Sequence, residues 1–374
     1  MVAVLKHRRL RDFDWLVAAL AIMIVCFGAW EIHNAQPTET FWQKQLIGLG
    51  VALVAMFAIA FTDYRRVMEL APVFYVFGLL LLVLVLVPIP GVSLKINGHR
   101  SWLRVPGLGT FQPSEFVKVT TAIMLARYFG KQRHAVLTLK EMAMGCAILG
   151  LPIGLILLEH DAGSVLTYIP ILLVVLFLSA IRMRTVVAAL VLSIVIIPAG
   201  YWVGVKTHLV KNYQQERINV ILDPENADKR GFGYHTWQSI VTVGSGGLLG
   251  SRDPEYSQSS LKFLPEPHSD FIFAVTAETT GFIGCLMLLA AYALLLTRLI
   301  IDARRARDRT GMLVIMAIVG GLIFQIFINV GMAVGLLPVI GVPLPLMSAG
   351  LSSVLATFIA IGFAISVQLR RFVN

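Results

Sequence analysis

Residues 71–90 read APVFYVFGLLLLVLVLVPIP, a run of 20 residues without a charge. About 20 consecutive apolar residues span the hydrocarbon core of a bilayer as an α-helix, because a helix satisfies every backbone polar group without water. Other stretches of the chain have the same character. The ten predicted spans cover approximately residues 13–32, 45–62, 71–90, 113–130, 141–158, 163–181, 185–205, 269–298, 311–336 and 345–368.

The composition of the whole chain supports this pattern. Of its 374 residues, 57% are hydrophobic and only 14% are charged, a balance that excludes an ordinary soluble domain. The three cysteines lie in separate apolar stretches and are predicted to be packing residues, not disulfides or metal ligands. The sequence therefore predicts an all-α, polytopic integral membrane protein with about ten transmembrane helices in a single domain, residues 1–374.

The basic residues predict the orientation, because Lys and Arg favour the cytoplasmic side of short loops. The clusters at residues 6–11, 65–66, 131–140, 182–184, 298–309 and 370–371 fall on one side of the ten-span arrangement. Both termini are therefore predicted to be cytoplasmic, in a bacterial inner membrane. We attribute the formal net charge of +10 to this asymmetry and to attraction by anionic lipid headgroups, not to nucleic-acid binding.

One loop is much longer than the others and is predicted to be extracytoplasmic. It covers about residues 206–268, and long ordered loops are commonly functional. Residues 213–222 and 234–243 are amphipathic and suited to lying along the outer membrane surface. The run from Gly244 to Gly250 has the form GxGGxxG, but no strand is predicted before it, so it indicates a flexible turn and not a dinucleotide loop.

Polar residues at membrane depth are the best guide to function, since a charge in hydrocarbon costs at least about 2.5 kcal/mol. Glu115 and Lys118 are spaced to share a helix face, either as a structural ion pair or as part of a substrate cavity. Asp161 follows Glu159 and His160 in a short turn that is either solvated or functional. Asp270 is placed at the start of a helix, where a carboxylate is also an ordinary cap.

Several motifs occur in order within this framework. They are GHRSWL at residues 98–103, QPSEF at 112–116, GYH at 233–235, FLPE at 263–266, HSDFIF at 268–273 and NVGM at 329–332. With these motifs the chain resembles the SEDS family of shape, elongation, division and sporulation proteins over essentially its whole length. The resemblance implies a peptidoglycan glycosyltransferase that polymerises lipid II on the outer face of the cytoplasmic membrane. The wording around Tyr234 and Gln238 is closer to elongation-type members than to division-type members.

The resemblance also implies roles for individual residues. Asp270 matches the family's catalytic aspartate and is predicted to be the general base for the acceptor hydroxyl, a role that contributes about 10²–10⁴-fold. The predicted substrate-binding residues are Glu115, Lys118, Arg100, Trp102, Arg104, Asp161 and His268. Trp102 has an alternative role as an interfacial anchor. Positive charge beside the leaving pyrophosphate comes either from basic side chains or from a divalent cation, Mg²⁺ or Mn²⁺, and the sequence assigns no metal ligand.

The chain departs from the family pattern at two places that bear on the site. Around Asp161 the family reads close to Gln-Pro-Asp-Leu-Gly-Thr, whereas residues 159–164 here read EHDAGS. After the catalytic aspartate the family often has two adjacent glutamates, but here Glu278 is followed by Thr279. The first of these changes weakens the transfer of a role to Asp161.

The expected partners follow from the same resemblance. They are lipid II, membrane lipids, a class B penicillin-binding protein and other elongation-complex proteins, since the sequence shows no soluble domain suited to a transpeptidase. The spans at 269–298 and 311–336 are the predicted dock for the partner's helix, where Gly281, Gly284, Gly320 and Gly321 allow close approach or serve internal packing.

Three rival functions remain open on the sequence. A flippase or other transporter of a lipid-linked precursor predicts dependence on Glu115 and Lys118, with Asp270 dispensable. A non-enzymatic scaffold predicts that every charged site is structural. A division-type polymerase differs only in its cellular role.

Overall fold

The computed structural model describes residues 12–96, 99–105, 109–132, 136–179, 202–207, 233–251, 263–264 and 266–371, with Gln258 and isolated residues between 181 and 200. The helices of these ranges are α1 (Trp15–Ala35), α2 (Phe41–Phe61), α3 (Tyr64–Glu69), α4 (Ala71–Leu86), α5 (Pro113–Gly130), α6 (Leu139–Leu158), α7 (Ala162–Leu178), α8 (Tyr234–Ser245), α9 (Ile272–Arg304), α10 (Arg309–Ala333) and α11 (Leu351–Leu369). The strands are β1 (Ser93–Ile96), β2 (His99–Val105) and β3 (Gly109–Phe111). The segment 213–222 and most of the predicted span 185–205 lie outside the described residues.

Nine of the ten predicted spans coincide with helices in the described part of the chain. Of these, α1, α2, α6, α9, α10 and α11 are long and apolar enough to cross a membrane, while α4 and α7 are shorter apolar helices. The prediction of a polytopic, mainly helical membrane protein is therefore confirmed. The cysteines within the described residues, Cys26, Cys146 and Cys285, are free.

Side-chain contacts define the two ends of the helix bundle. At one end Arg298 donates to Asp14 (2.6 Å) and Tyr64 donates to Asp308 (2.9 Å); we call this end the Asp14 face. The other end carries the β-strands, the turn at 159–161 and the segments 246–251, 266–271 and 334–350; we call it the Asp270 face. The long helices run between these two ends. The loops that join them at the Asp270 face therefore lie together on one surface of the bundle.

Close helix packing depends on small residues at the crossing of α2 and α11. A Cβ at Gly362 would lie 2.7 Å from the carbonyl oxygen of Met56, so only glycine allows this approach. Elsewhere α10 packs against α5, α7 and α9. Helix α10 therefore contacts all three of these helices and reaches the Asp270 face.

A tyrosine compensates for a proline within α6. Pro152 has no backbone N–H, so the carbonyl of Ile148, four residues earlier, loses its helical donor. The hydroxyl of Tyr75 in α4 donates to that carbonyl at 2.6 Å. The break in the helix ladder is thus satisfied within the protein, as the bilayer requires.

A three-stranded antiparallel sheet in the order β1-β2-β3 covers part of the Asp270 face, and it was not predicted. It packs against α4 and α5. Side chains alternate across a strand, and in β2 Ser101 and Leu103 are buried while Arg104 is exposed. Arg100 and Trp102 share the face of Arg104, so the three predicted substrate-binding residues of this segment are placed together.

The glycine run 244–250 forms the end of α8 and a turn that packs against a kink in α9. The kink is at Gly281, whose φ of 68° lies in the left-handed region. It frees the amides of Phe282 and Ile283, which donate to the carbonyls of Gly247 (2.9 Å) and Leu248 (3.2 Å). The prediction of a turn is therefore confirmed, and helix α8, not a strand, precedes it.

Helix α8 is the predicted amphipathic segment 234–243, and it faces the bundle with its polar side. Thr236, Ser239 and Thr242 are buried, and the Ser239 hydroxyl donates to the carbonyl of Ala333 at 2.8 Å. Trp237 and Ile240 are among its exposed apolar residues. This arrangement suits a helix whose outer surface contacts lipid.

The last predicted span, 345–368, begins too early, because α11 starts at Leu351. The residues before it are non-helical yet buried, and Leu346 has a φ of 68°. The side chain of Gln45 donates to the carbonyl of Ser348 (3.1 Å) and accepts from the amide of Gly350 (3.2 Å). Irregular backbone inside a membrane protein is tolerated where protein groups satisfy it in this way.

Candidate functional site

Asp270 lies immediately before α9, but it does not cap the helix. The N-cap position is Phe271, and no side-chain cap bond is made there. The Asp270 carboxylate instead accepts a hydrogen bond from the Ser269 hydroxyl at 3.0 Å and is partly exposed. The capping role that the sequence left open is therefore not the role of this carboxylate.

The surroundings of Asp270 come from α10 and from the segment that follows it. The Asn329 side chain donates to the carbonyl of Asp270 at 2.8 Å. A Cβ at Gly341, whose φ is 73°, would lie 3.4 Å from Asp270 Oδ2. Because residue 341 is glycine, its backbone lies beside the Asp270 carboxylate with no side chain between them.

Asp161 is the N-cap of α7. Its Oδ1 accepts from the amide of Ser164 (3.0 Å), and its Oδ2 accepts from the Ser164 hydroxyl (2.7 Å) and from Gln112 Nε2 (3.2 Å). A Cβ at Gly163 would lie 2.4 Å from the carbonyl oxygen of Ile340. Asp161 is thus close to the backbone of residues 340–341, beside which Asp270 also lies. Its oxygens already accept three hydrogen bonds within the protein.

Glu115 and Lys118 form the predicted ion pair in the first turns of α5, with an Nζ–Oε1 distance of 3.0 Å. Both side chains are buried, and both line a narrow cleft between α5, α7, α10 and α11. Gln325 also lines this cleft, and it lies one helical turn, about 5.4 Å, from Asn329. The end of the cleft at Gln325 therefore lies about one turn deeper in the bundle than Asn329, whose side chain bonds the backbone of Asp270.

His268 supports the loop that precedes Asp270. Its ring stacks on Phe41 with centroids 4.1 Å apart and an interplanar angle of 8°, and its Nε2 lies 3.6 Å from Glu266. Burial lowers the pKa of His268 below its ordinary value, opposed by the nearby carboxylates. This shift favours the neutral form of His268 at neutral pH, so the residue is a poor source of positive charge for the site.

Two buried glutamates were not assigned a role by the sequence. Glu31 in α1 is fully buried and accepts from the Thr279 hydroxyl at 2.7 and 2.9 Å, so α1 supplies a carboxylate beside the position where the family often has a second glutamate. Glu159 is 2% exposed, and neither of its carboxylate oxygens has a hydrogen-bond partner within the described residues. Glu278, by contrast, fastens the loop to α9, since its side chain accepts from the amide of Gln258.

Backbone strain marks the same surface. Within the described ranges, the non-glycine residues with positive φ are His160 (65°), Glu266 (44°) and Leu346 (68°). All three belong to segments of the Asp270 face. Such conformations cost about 1–3 kcal/mol each and cluster at functional sites, which supports a functional site at this face.

The buried carboxyl of Glu159 should make the stability of the protein depend on pH. Burial, followed by the negative charge of Asp161, raises the pKa of Glu159 from 4.5 to about 8, although Ser101 opposes the shift. The folded state therefore binds more protons than the unfolded state between pH 4.5 and about 8, so the free energy of unfolding falls as pH rises through that window. We expect Glu159→Gln to remove this decline, measured as the thermal midpoint at several pH values in detergent.

The matched control is Glu69→Gln, which changes an exposed carboxyl of the Asp14 face, far from Glu159 and His268, and should leave the pH dependence intact. A Glu159→Gln protein that keeps the wild-type slope would contradict the assignment.

The described residues contain no group of three or more His, Cys, Asp or Glu side chains placed to hold a metal ion. Glu115 is engaged by Lys118, and the oxygens of Asp161 accept bonds from Ser164 and Gln112. Glu159 and Asp161 lie close enough to interact electrostatically, although Asp161 is already engaged by these bonds. A pair of this kind does not form a complete site for Mg²⁺, which is usually bound by one or two carboxylates together with phosphate oxygens and waters.

Comparisons with known proteins agree over nearly the full length. The family model for cell cycle proteins of the FtsW, RodA and SpoVE type matches residues 11–371. The chain is 34% identical to the peptidoglycan glycosyltransferase MrdB of Escherichia coli K12, covering 96% of this chain and 94% of that relative. It is 33% identical to stage V sporulation protein E of Bacillus subtilis, covering 95% and 96%.

Solved structures show the same relation. The rod shape determining protein RodA of Thermus thermophilus is 29% identical and superimposes with a TM-score of 0.70, covering 97% of this chain and 98% of that chain. A chain of a peptidoglycan synthase complex, studied for its coordination of polymerization and crosslinking, is 31% identical with a TM-score of 0.82, covering 97% and 99%. The motifs, the helical bundle and these matches agree, and the chain belongs to the FtsW/RodA/SpoVE family of cell cycle proteins, the SEDS family.

Proposed function

We propose that this chain is a peptidoglycan glycosyltransferase that polymerises lipid II into glycan strands for cell elongation. The observation that carries the proposal is the setting of Asp270, a partly exposed residue whose backbone is held by Asn329, about one helical turn above the end of a cleft that reaches between the helices. The relative MrdB, which aligns over 96% of this chain, is a peptidoglycan glycosyltransferase. Together these support an enzyme and not a scaffold.

The reaction joins two lipid-linked disaccharides. Asp270 accepts the proton of the acceptor sugar's hydroxyl, whose oxygen then attacks the anomeric carbon of the donor. The bond from that carbon to the pyrophosphate breaks, and undecaprenyl pyrophosphate leaves with the electron pair. The partly exposed Asp270 suits this role, because a general base must reach the hydroxyl whose proton it abstracts.

The leaving pyrophosphate needs positive charge nearby. Lys118 is already neutralised by Glu115 at 3.0 Å, so Arg100 and Arg104, on one face of β2, are the better candidates to meet an incoming headgroup. A divalent cation, Mg²⁺ or Mn²⁺, would need the substrate's phosphate oxygens to complete its coordination, since the described carboxylates do not form a group of three. No step of the reaction described above depends on it.

The orientation in the membrane follows from the distribution of basic residues. Arg65, Arg66, Arg298 and Arg370 belong to the Asp14 face, which by the positive-inside rule supports the proposal that this face and both termini are cytoplasmic. The Asp270 face is then extracytoplasmic, where the disaccharide of lipid II is polymerised. Leu139 is an exposed residue of the Asp14 face. We expect a membrane-impermeant thiol reagent to label a Leu139→Cys protein only after the cells are permeabilised.

The proposed protein partner is a class B penicillin-binding protein, because one similar solved chain belongs to a complex that coordinates polymerization and crosslinking. Three of the four glycines considered for its dock serve internal packing: Gly320 and Gly321 contact α7, and Gly281 contacts the turn at 248–250. Exposed apolar side chains of α9, such as Phe282 and Met287, are therefore the better candidates for the contact.

Depletion of the protein in its own host tests the elongation assignment. Rounded cells are expected, because loss of side-wall synthesis removes the rod shape. Filamentous cells would instead assign the chain to division.

A further inference from the structure

Three successive backbone carbonyls precede α9, and each accepts a hydrogen bond from outside its own segment. The carbonyl of His268 accepts from the amide of Ala349 (2.8 Å), that of Ser269 from the Ser348 hydroxyl (2.7 Å), and that of Asp270 from Asn329 Nδ2 (2.8 Å). These carbonyls have no helical donors, and buried carbonyls require partners. The donors all come from α10 and from the segment between α10 and α11.

Asn329 uses both of its N–H donors in this network. Besides Asp270 it donates to the carbonyl of Val342 at 2.9 Å, and its side chain is completely buried. Both partners are carbonyl oxygens, which can only accept, so the amide nitrogen must face them. Val342 adjoins Gly341, whose backbone approaches the Asp270 carboxylate. The Asn329 side chain therefore holds both the backbone of Asp270 and the backbone at 341–342, beside which the Asp270 carboxylate lies.

Ser348 links the same two segments at a second point. It is 2% exposed, and its hydroxyl accepts from the amide of Leu344 (2.8 Å) while it donates to Ser269. Neither Asn329 nor Ser348 bonds the carboxylate of Asp270. Their contacts act on the backbone that carries it.

We propose that Asn329 and Ser348 are positioning residues for glycosyl transfer, holding the backbone of residues 268–270 so that the Asp270 carboxylate points at the acceptor hydroxyl. The inference rests on the proposed role of Asp270 as the base. A misplacement of about 1 Å can reduce a rate by about 10²-fold, so loss of these bonds should lower kcat much more than it changes KM.

The first test is steady-state polymerisation of lipid II by the full chain in complex with its penicillin-binding protein. Asn329→Leu removes both donors at similar size and should lower kcat by about 10²-fold with a nearly unchanged KM. Ser348→Ala, a smaller change, should lower kcat in the same direction. Its matched control is Ser366→Ala, which removes a buried hydroxyl that donates to the carbonyl of Thr62 at 2.6 Å on the Asp14 face. The two serine variants should lose similar thermal stability, and only Ser348→Ala should lose kcat.

The second test measures position without activity. In an Asp270→Cys protein, a charged thiol reagent modifies the introduced thiol at a rate that can be followed on the peptide that carries it. This rate should change when Asn329→Leu is added and should stay the same when Ser366→Ala is added. An unchanged rate, or a Ser348→Ala enzyme with the kcat of its Ser366→Ala control, would overturn the inference. Retained activity in Asp270→Asn would overturn the proposed base instead. The two failures can be told apart, because the thiol-modification rates are measured without activity.

Discussion

Replacing Asp270 with Asn is expected to reduce lipid II polymerisation by about 10²–10⁴-fold, the contribution of a positioned general base. The fold should survive, because Asn329 bonds the backbone carbonyl of Asp270 and not its side chain. The Ser269 hydroxyl can donate equally well to the amide oxygen of Asn. The rate of glycan formation by the purified complex measures the effect, with the thermal midpoint checked for both proteins.

The matched control for this substitution is Asp63→Asn on the Asp14 face. Asp63 caps α3 by accepting from the amide of Arg65 at 3.0 Å, and Asn caps a helix about as well as Asp. This variant should polymerise at the wild-type rate. Equal rates in the Asp270→Asn and Asp63→Asn proteins would remove Asp270 from catalysis.

Breaking the Glu115–Lys118 pair is expected to cost about 3–5 kcal/mol, since removal of one partner leaves a buried charge uncompensated. Glu115→Gln alone should therefore unfold at a much lower temperature. The double variant Glu115→Gln with Lys118→Met should recover most of that stability, because neutral groups of similar volume often replace a buried pair without loss. Thermal unfolding of the single and double variants measures the difference.

Activity of the double variant separates the two roles of the pair. If the pair lines a substrate cavity, the stable double variant should still show a raised KM for lipid II. A return to wild-type kinetics would make the pair structural only. A transporter would show the opposite emphasis, with transport lost in the double variant and unaffected by Asp270→Asn.

Much of the fold could be predicted because each membrane helix leaves a local record in the sequence. The uncharged run at 71–90 contains α4 (Ala71–Leu86), and Glu115 and Lys118 pair as their spacing indicates. The sheet was missed because the alternation from Arg100 to Arg104 is short and lies between turns. Helix α11 begins later than predicted because the backbone at Leu346 is left-handed and that at Gly350 is extended, so residues 345–350 do not join the helix.

The site could be predicted only in part, because its framework depends on contacts between distant positions. Asn329 and Asp270 are 59 residues apart, and Glu31 and Thr279 are 248 residues apart. Nothing local to Asn329 indicates that its amide reaches two carbonyls. The roles given to Trp102, Arg100 and His268 as substrate-binding residues remain predictions, although the stacking of His268 on Phe41 favours a supporting role for that side chain.

The most direct measurement is formation of glycan polymer from purified lipid II in detergent by the wild-type protein and the penicillin-binding protein proposed as its partner. Detergent micelles have no two compartments, so a transporter can generate no product there. The account predicts long glycan strands from the wild-type complex. A folded, intact complex that leaves lipid II unpolymerised would contradict it.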